Sequence, residues 1–438
     1  MRMKSELAIC VVGLGYVGLP TAVAFYNSGF KVFGIDTNLS KISQLKSGID
    51  PLVDESSHLA IPTESELWGV STEYSSFISK SDIVIITVPT PTTDDKRPDL
   101  SFIESASRCT LQNIDSSRGT TIILESTVYP GVTREVFTRI CDEEKLVLGE
   151  DLEIAYCPER VSPGDHGKGV SGVARVVGCD NPEKGKMLAD LYGEITEEEC
   201  RYVGPMEVAE AAKMVENVQR DIDIALSNEL SKVLSKIDVD VEDVLSAAET
   251  KWNFHRHTPG IGVGGHCIPV DPYYYISLAE SVGVESLVSK AAREINESMP
   301  RHCATEINDI MEARNNPRKV LILGYAYKAQ VGDVRETPVK ELASKLQEFG
   351  NEVFVWDPLV EKGEVPDSID LVDDPYECAD VGVVILATAH REVMKLNWER
   401  LKKIFNCCGP IIYDGRRALD QSEFQEGGWT YTGVGVPI

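Results

Sequence analysis

Residues 7–36 hold the pattern that most narrows the fold. An apolar run over 7–12 predicts a strand ending in Gly13-Leu14-Gly15-Tyr16-Val17-Gly18, a helix follows over 20–28, and a second strand over 31–35 ends in Asp36. Three glycines at this spacing permit a tight turn, close approach of backbone to a pyrophosphate, and close packing of helix on strand. The helix N-terminus adds partial positive charge where that pyrophosphate would sit. Asp36, 23 residues after Gly13, suits a ribose 2′-hydroxyl and would repel a 2′-phosphate. The expected cofactor is therefore NAD rather than NADP.

The same texture continues. Strands are predicted over 82–88, 119–124 and 152–156, each followed by a proline-containing turn: Pro89-Thr90-Pro91, Glu125-Ser126-Thr127-Val128-Tyr129-Pro130-Gly131 and Cys157-Pro158-Glu159-Arg160. In doubly wound sheets ligands bind beyond the carboxyl ends of the strands, so Thr127, Glu159 and Arg160 are site candidates. Turn chemistry beside proline is the alternative for each. Far downstream a strand over 319–323, the turn 324–328, a helix over 337–349 and a strand over 352–356 ending in Asp357 repeat the scheme. NEVFVWD at 351–357 echoes FKVFGID at 30–36, and 380–388 echoes 82–90. The fold class expected is α/β, with two doubly wound Rossmann-like domains joined by a helical central domain. Its boundaries fall at 1–200, 201–300 and 301–438. The second copy lacks the glycine fingerprint and should hold a different nucleotide, with Lys328, Arg335, Arg416 and Arg417 supplying positive charge or forming ion pairs.

Between the two copies, residues 205–237 predict one long helix. Its apolar positions include Val208, Val215, Val218, Ile222, Leu226 and Val233, while Lys213, Asn217 and Arg220 share a stripe roughly opposite. Read alone, that polar stripe is a solvated face, and the length suits subunit pairing. Beyond it, Pro259 to Pro272 packs four glycines into six residues and then presents Cys267 and Asp271. Glycine permits positive φ and close approach, so the loop reads as moulded around a ligand. Asp271 is expected as N-cap with Pro272 at the first helical position. Cys267 just upstream would be favoured as a thiolate. The plainer reading is a connector with an inert thiol.

Net charge bears on partners. Seventy acidic residues against 43 basic leave −27, which disfavours nucleic acid and anionic membranes. An anionic small substrate would need local cations and N–H groups. No run of 18 apolar residues or cleavable signal is apparent, and eleven cysteines without metal-ligand spacing suit reduced thiols in a cytoplasm. The pair Cys407-Cys408 reads as a buried strand or turn feature.

Taken together, VVGLGYVGLP, VPTP, ESTVYPG, CPERVSPGD, AAKMVENVQRDIDIALSNEL, PGIGVGGHCIPVDP, GYAYKAQVGDVRETP and YDGRRALD resemble the nucleotide-sugar 6-dehydrogenase family, the UDP-glucose and GDP-mannose dehydrogenases, from residue 7 to about 432. The resemblance implies two hydride transfers to NAD that take a sugar primary alcohol to a carboxylate. It casts Cys267 as the nucleophile that forms a thiohemiacetal and then a thioester. Lys213 and Asn217 become oxyanion donors, which turns their stripe into a cleft face. Asp271 would pair with Lys213 and hold a water near Thr127, and Glu159 would assist thioester hydrolysis. Cofactor contacts are implied at Gly13, Gly15, Tyr16, Val17, Gly18, Asp36, Pro89, Thr90, Thr127 and Arg335. Substrate contacts are implied at Glu159, Arg160, Val161, Lys213, Asn217 and Arg220, and further on at Arg256, Gly260, Gly264, His266, Tyr327, Lys328 and Arg416. Arg256 would reach the substrate of a partner subunit, the family being generally dimeric or built from dimers. His266, where UDP-glucose enzymes usually carry serine, and the helix sequence resemble the branch acting on UDP-N-acetylhexosamines. The cysteine loop is similar to N-acetylmannosamine enzymes, whereas Thr250-Lys251-Trp252-Asn253-Phe254 is closer to N-acetylglucosamine and N-acetylgalactosamine ones. No step needs a metal, so none is expected at His255, His257, His266 and Cys267. UDP-GalNAc or UDP-glucose as substrate, a single-step hydroxyacid dehydrogenase and a non-catalytic NAD or nucleotide-sugar sensor remain the alternatives.

Overall fold

The opening strand sets the first sheet. In β1 (Ala8–Val12) all five residues are buried, and alternate side chains enter opposite cores: Ile9 and Val11 join one cluster, Ala8, Cys10 and Val12 the other. That is the signature of a sheet covered on both faces. Around it lie β2 (Lys31–Ile35), β3 (Trp68–Ser71), β4 (Ile83–Ile86), β5 (Thr120–Leu124), β6 (Leu152–Tyr156), β7 (Arg175–Cys179) and β8 (Cys200–Gly204). Their order is β3-β2-β1-β4-β5-β6-β7-β8. All neighbours are parallel except β6 and β7, which run antiparallel.

A second sheet contains β9 (Lys319–Leu323), β10 (Glu352–Trp356), β11 (Asp370–Leu371), β12 (Val383–Leu386), β13 (Ile411–Asp414) and β14 (Thr430–Gly433). It is parallel throughout, in the order β11-β10-β9-β12-β13-β14. That is the order of the first six strands of the first sheet, so the echo between 30–36 and 351–357 marks a repeated topology. The other echo is out of register by two residues. Val12 pairs with Ile86 and Leu323 with Leu386, so residue 388 corresponds to 88 rather than to 90.

The structure, a computed structural model, describes residues 4–52, 59–93, 95–160, 169–406 and 409–437. Val161 and the Cys407-Cys408 pair lie outside them. The chain divides into two compact units, Met1–Glu216 with Tyr273–Glu285, and Asn217–Pro272 with Ser286–Ile438. The long helix runs from Met206 to Ser235, close to expectation; Val218 is buried and Arg220 exposed as the stripes predict, but most of the rest of the apolar stripe is not covered. Val208, Val215, Leu226 and Val233 are about half exposed, whereas Lys213 is only 8% exposed. Periodicity located the stripes without saying what covers each of them. A second long helix, Leu287–Ala313, carries Pro300 inside it. No helix among the described residues is long and apolar enough to cross a membrane.

Candidate active site

The first unit builds a nucleotide cradle. Gly13, with φ at +93°, donates its N–H to the Ile35 carbonyl at 2.8 Å. A Cβ on Gly13 would stand 2.7 Å from the Thr87 carbonyl oxygen, and one on Gly18 only 1.9 Å from the Gly13 carbonyl oxygen. Both glycines are thus demanded by the chain's own packing. Gly15 differs, because nothing lies within 4 Å of where its Cβ would be. Its backbone, with half-buried Tyr16 and Val17 after it, is open at the start of the helix Gly18–Asn27, where an anion is favoured. Asp36 closes the cradle: Oδ2 accepts from Leu14 N at 2.9 Å and Oδ1 from Asn38 N at 2.9 Å. Lys41 Nζ lies 2.8 Å from Asp36 Oδ2, a partner that sequence reasoning missed although it stands five residues away.

Past the carboxyl ends of β4, β5 and β6 come the other expected loops. The Thr90 carbonyl, following Pro89, accepts from Tyr274 Oη at 3.2 Å. Ser126 Oγ donates to the Val88 carbonyl at 2.7 Å, which ties the β5 loop to the β4 loop and sets half-buried Thr127 beside it. Beneath them Glu125 is fully buried. It accepts from Tyr192 Oη at 2.5 Å and has the Arg175 guanidinium at 3.6 Å. Burial raises the Glu125 carboxyl above its usual range, against the lowering effect of Arg175 and Tyr192. Glu159 is half-buried after β6. Arg160, half-buried, forms a two-pronged pair with Glu216 and donates to the Ala174 carbonyl at 3.1 Å.

The cysteine loop belongs to the second unit. What its glycines approach is the chain itself. A Cβ on Gly264 would lie 2.7 Å from Tyr327 Cβ and 2.8 Å from the Glu336 carbonyl oxygen, and one on Gly265 2.7 Å from the Tyr327 ring. Gly265 N also donates to the Arg335 carbonyl at 3.1 Å, and Gly260 N to Asn228 Oδ1 at 2.9 Å. The Cys267 carbonyl then accepts from Val270 N at 3.1 Å and Asp271 N at 2.8 Å. Asp271 is therefore the first residue of the helix Asp271–Ser281 rather than its N-cap, because helical bonding already starts from Cys267. Cys267 Sγ sits 3.1 Å from His266 Nδ1. Asp271, 2% exposed, accepts from Asn217 Nδ2, which fixes that amide; Arg220 farther along the helix is exposed.

A buried polar chain that the sequence did not disclose braces this loop. Arg293 Nη1 donates to Asp221 Oδ1 at 2.7 Å, as does Asn296 Nδ2 at 2.7 Å, and Asn228 Nδ2 donates to Asn296 Oδ1 at 2.8 Å. From Asn228 it reaches Gly260 N. Arg293 and Asn296 stand one turn apart on Leu287–Ala313, and that spacing was the only available signal.

The candidate cations of this unit meet counter-charges. Arg256 bonds Glu242 and, at 3.1 Å, Glu249. Arg335 grips Asp333 at 2.5 Å, and Arg417 grips Asp240 at 2.8 Å. Arg416 instead donates to the Ala387 and Tyr327 carbonyls at 2.5 and 3.3 Å, and Lys328 is half-buried beside Tyr327. Asp357, the counterpart of Asp36, is consumed internally. It accepts from Tyr325 N at 2.6 Å and Ala326 N at 2.9 Å and faces buried His390 Nε2 at 3.1 Å. Thiols differ as well. Burial pushes Cys157 and Cys303 up to about 12, whereas Cys267 is partly exposed.

Three family models match the chain: the UDP-glucose/GDP-mannose dehydrogenase family NAD binding domain over residues 7–196, its central domain over 207–298 and its UDP binding domain over 321–421. The Staphylococcus aureus protein CapL is 36% identical over 95% of this chain and 97% of its own length. The UDP-N-acetyl-D-glucosamine 6-dehydrogenase of Pseudomonas aeruginosa is 35% identical, covering 95% and 98%. The solved structure of the UDP-D-ManNAc dehydrogenase of Pyrococcus horikoshii matches with a TM-score of 0.85 at 30% identity, covering 98% of this chain and 99% of that one.

Proposed function

The chain belongs to the UDP-glucose/GDP-mannose dehydrogenase family, and from that premise we propose that it oxidises the C6 hydroxyl of a UDP-N-acetylhexosamine, of gluco or manno configuration, to the uronate. It is an oxidoreductase with NAD as cofactor. The observation that carries the substrate class is the similarity, over nearly the whole chain, to relatives named for UDP-N-acetylglucosamine and UDP-N-acetylmannosamine.

The residues present fit NAD: Gly15 is open for the pyrophosphate and Asp36 is held in place for a ribose. Bound there, beside Tyr16, Val17, Pro89, Thr90 and Thr127, NAD supplies the hydride acceptor. Cys267 attacks the intermediate aldehyde, a task for a thiolate, and the helix beginning at Asp271 favours that anion. Asn217, its amide oriented by Asp271, and Lys213 donate to the oxyanion. Glu159 serves as the base for thioester hydrolysis. Residues 1–200 hold NAD, 201–300 pair subunits and carry the oxyanion donors, and 301–438 hold the UDP moiety. Lys328 and Arg416 serve the substrate's pyrophosphate and Arg335 the cofactor, with Arg160, Arg220, Arg256, Gly260, Gly264 and Tyr327 around the sugar nucleotide. Because Arg256 and Arg335 are already paired with carboxylates, the ligands compete with these, and binding should weaken with salt.

The half-exposed stripe of Val208, Val215, Leu226 and Val233 supports a homodimer through the long helix. The nine described cysteines are all free thiols, which suits a cytoplasm. The test is a panel of UDP-GlcNAc, UDP-ManNAc, UDP-GalNAc and UDP-glucose with product identified by mass. Uronate from an N-acetylhexosamine, with kcat/KM above that for UDP-glucose, supports the reading. Preference for UDP-glucose, or no uronate at all, overturns it.

A further inference from the structure

We infer that His266 is a catalytic residue, the base and then the acid for the Cys267 thiol. Its Nδ1 lies 3.1 Å from Cys267 Sγ, direct contact with the atom that reacts. Both side chains are partly exposed, unlike the fully buried thiols Cys10, Cys157 and Cys303. The pair is also held rigidly. Gly265 N is bonded to the Arg335 carbonyl just before it, and no side chain could replace Gly265 against the Tyr327 ring without displacement. The Cys267 carbonyl is fixed by Val270 N and Asp271 N just after it. The backbone is thus bonded on both sides of His266 and Cys267.

The proton balance closes on this pair. With Nδ1 unprotonated, the Sγ–H proton passes to His266, leaving a thiolate beside an imidazolium. As Sγ forms its bond to the aldehyde carbon, the carbonyl π bond breaks and its electrons go to oxygen. The imidazolium returns its proton to that oxygen. The result is a neutral thiohemiacetal and a neutral histidine, with no net redox change. An imidazole partner is a recognised means of activating a thiol of ordinary pKa, about 8.5, of which only about 3% is thiolate at pH 7.

The thiohemiacetal rests on the function proposed above, whereas the activation of the thiol does not, and the test separates the two. Wild type, His266→Gln and His266→Ser are alkylated with iodoacetamide at pH 7, and Cys267 labelling is followed by peptide mapping, with NAD titration to confirm folding. Both variants should label Cys267 at least about tenfold more slowly. A rate within twofold of wild type in a folded variant overturns the inference. NADH formation from the UDP-sugar panel is measured on the same samples. Slowed labelling with no NADH from any sugar keeps the pair and rejects the function; unchanged labelling with active wild type does the reverse.

Discussion

Gly15 and Gly18 make opposite predictions for the same substitution. At Gly18 a Cβ would sit 1.9 Å from the Gly13 carbonyl oxygen and 2.3 Å from Thr87 Oγ1. One of them must retreat by about 1 Å, and the 2.6 Å bond from Thr87 Oγ1 to the Gly13 carbonyl is disturbed. Overpacking of this kind costs about 1–3 kcal/mol and the bond about 1 more, against less than about 1 kcal/mol gained from helix propensity. Gly18→Ala should therefore lower apo stability by about 1–3 kcal/mol. At Gly15 no atom lies within 4 Å and φ is not in the left-handed region. Gly15→Ala should leave apo stability unchanged or raise it by about 0.4–1 kcal/mol through a stiffer unfolded chain. If the pyrophosphate lies over this backbone, the same methyl obstructs it, and NAD affinity should fall at least about tenfold, near 1.4 kcal/mol. Denaturant unfolding of the apo proteins and calorimetric titration with NAD measure both. A Gly15→Ala protein that binds NAD as wild type does would refute the placement of the cofactor.

The other predictions concern the second unit and the helix face. Asn228→Ala removes the acceptor for Gly260 N and should cost about 1–3 kcal/mol in denaturant unfolding; less than about 0.5 would mean the loop is braced otherwise. Arg293→Met leaves Asp221 buried without its cation and should cost about 3–5 kcal/mol, with unchanged stability as the contrary result. Burial would raise the Asp357 carboxyl, but His390 and the Tyr325 and Ala326 amides hold it below the ordinary value. Its contribution is then fully present above about pH 4 and lost as pH falls through the lower folded value, so the stability gap between wild type and Asp357→Asn should close on acidification. Leu226→Glu should shift sedimentation from dimer to monomer, and an unaltered distribution would move the subunit contact elsewhere.

How much of this was legible depended on the distance over which each feature is encoded. The glycine turn and Asp36 lie within 23 residues of one another, and the strands around them are continuous apolar runs. A local pattern therefore carried the topology, and even its repetition after residue 319. The faces of Met206–Ser235 were not legible, because a period of 3.6 marks a stripe without saying what covers it. Lys213 is buried while Val215 and Leu226 are exposed. Asp271 looked like a cap because a proline follows it, yet the Cys267 carbonyl accepts the first bond. Groups meeting over long separations left no trace in the pattern. Tyr192 reaches Glu125 across 67 positions and Asn296 reaches Asp221 across 75. Ion pairing of Arg256 and Arg335 with local acids was foreseeable from composition alone, since acids outnumber cations so heavily.

The central claim is a four-electron oxidation passing through Cys267, and counting NADH against sugar consumed tests it most directly. Wild type with limiting UDP-N-acetylhexosamine should form two NADH per sugar and release uronate, and Cys267→Ser should fail to release it at a comparable rate. One NADH per sugar, or two with undiminished uronate from Cys267→Ser, would contradict the account.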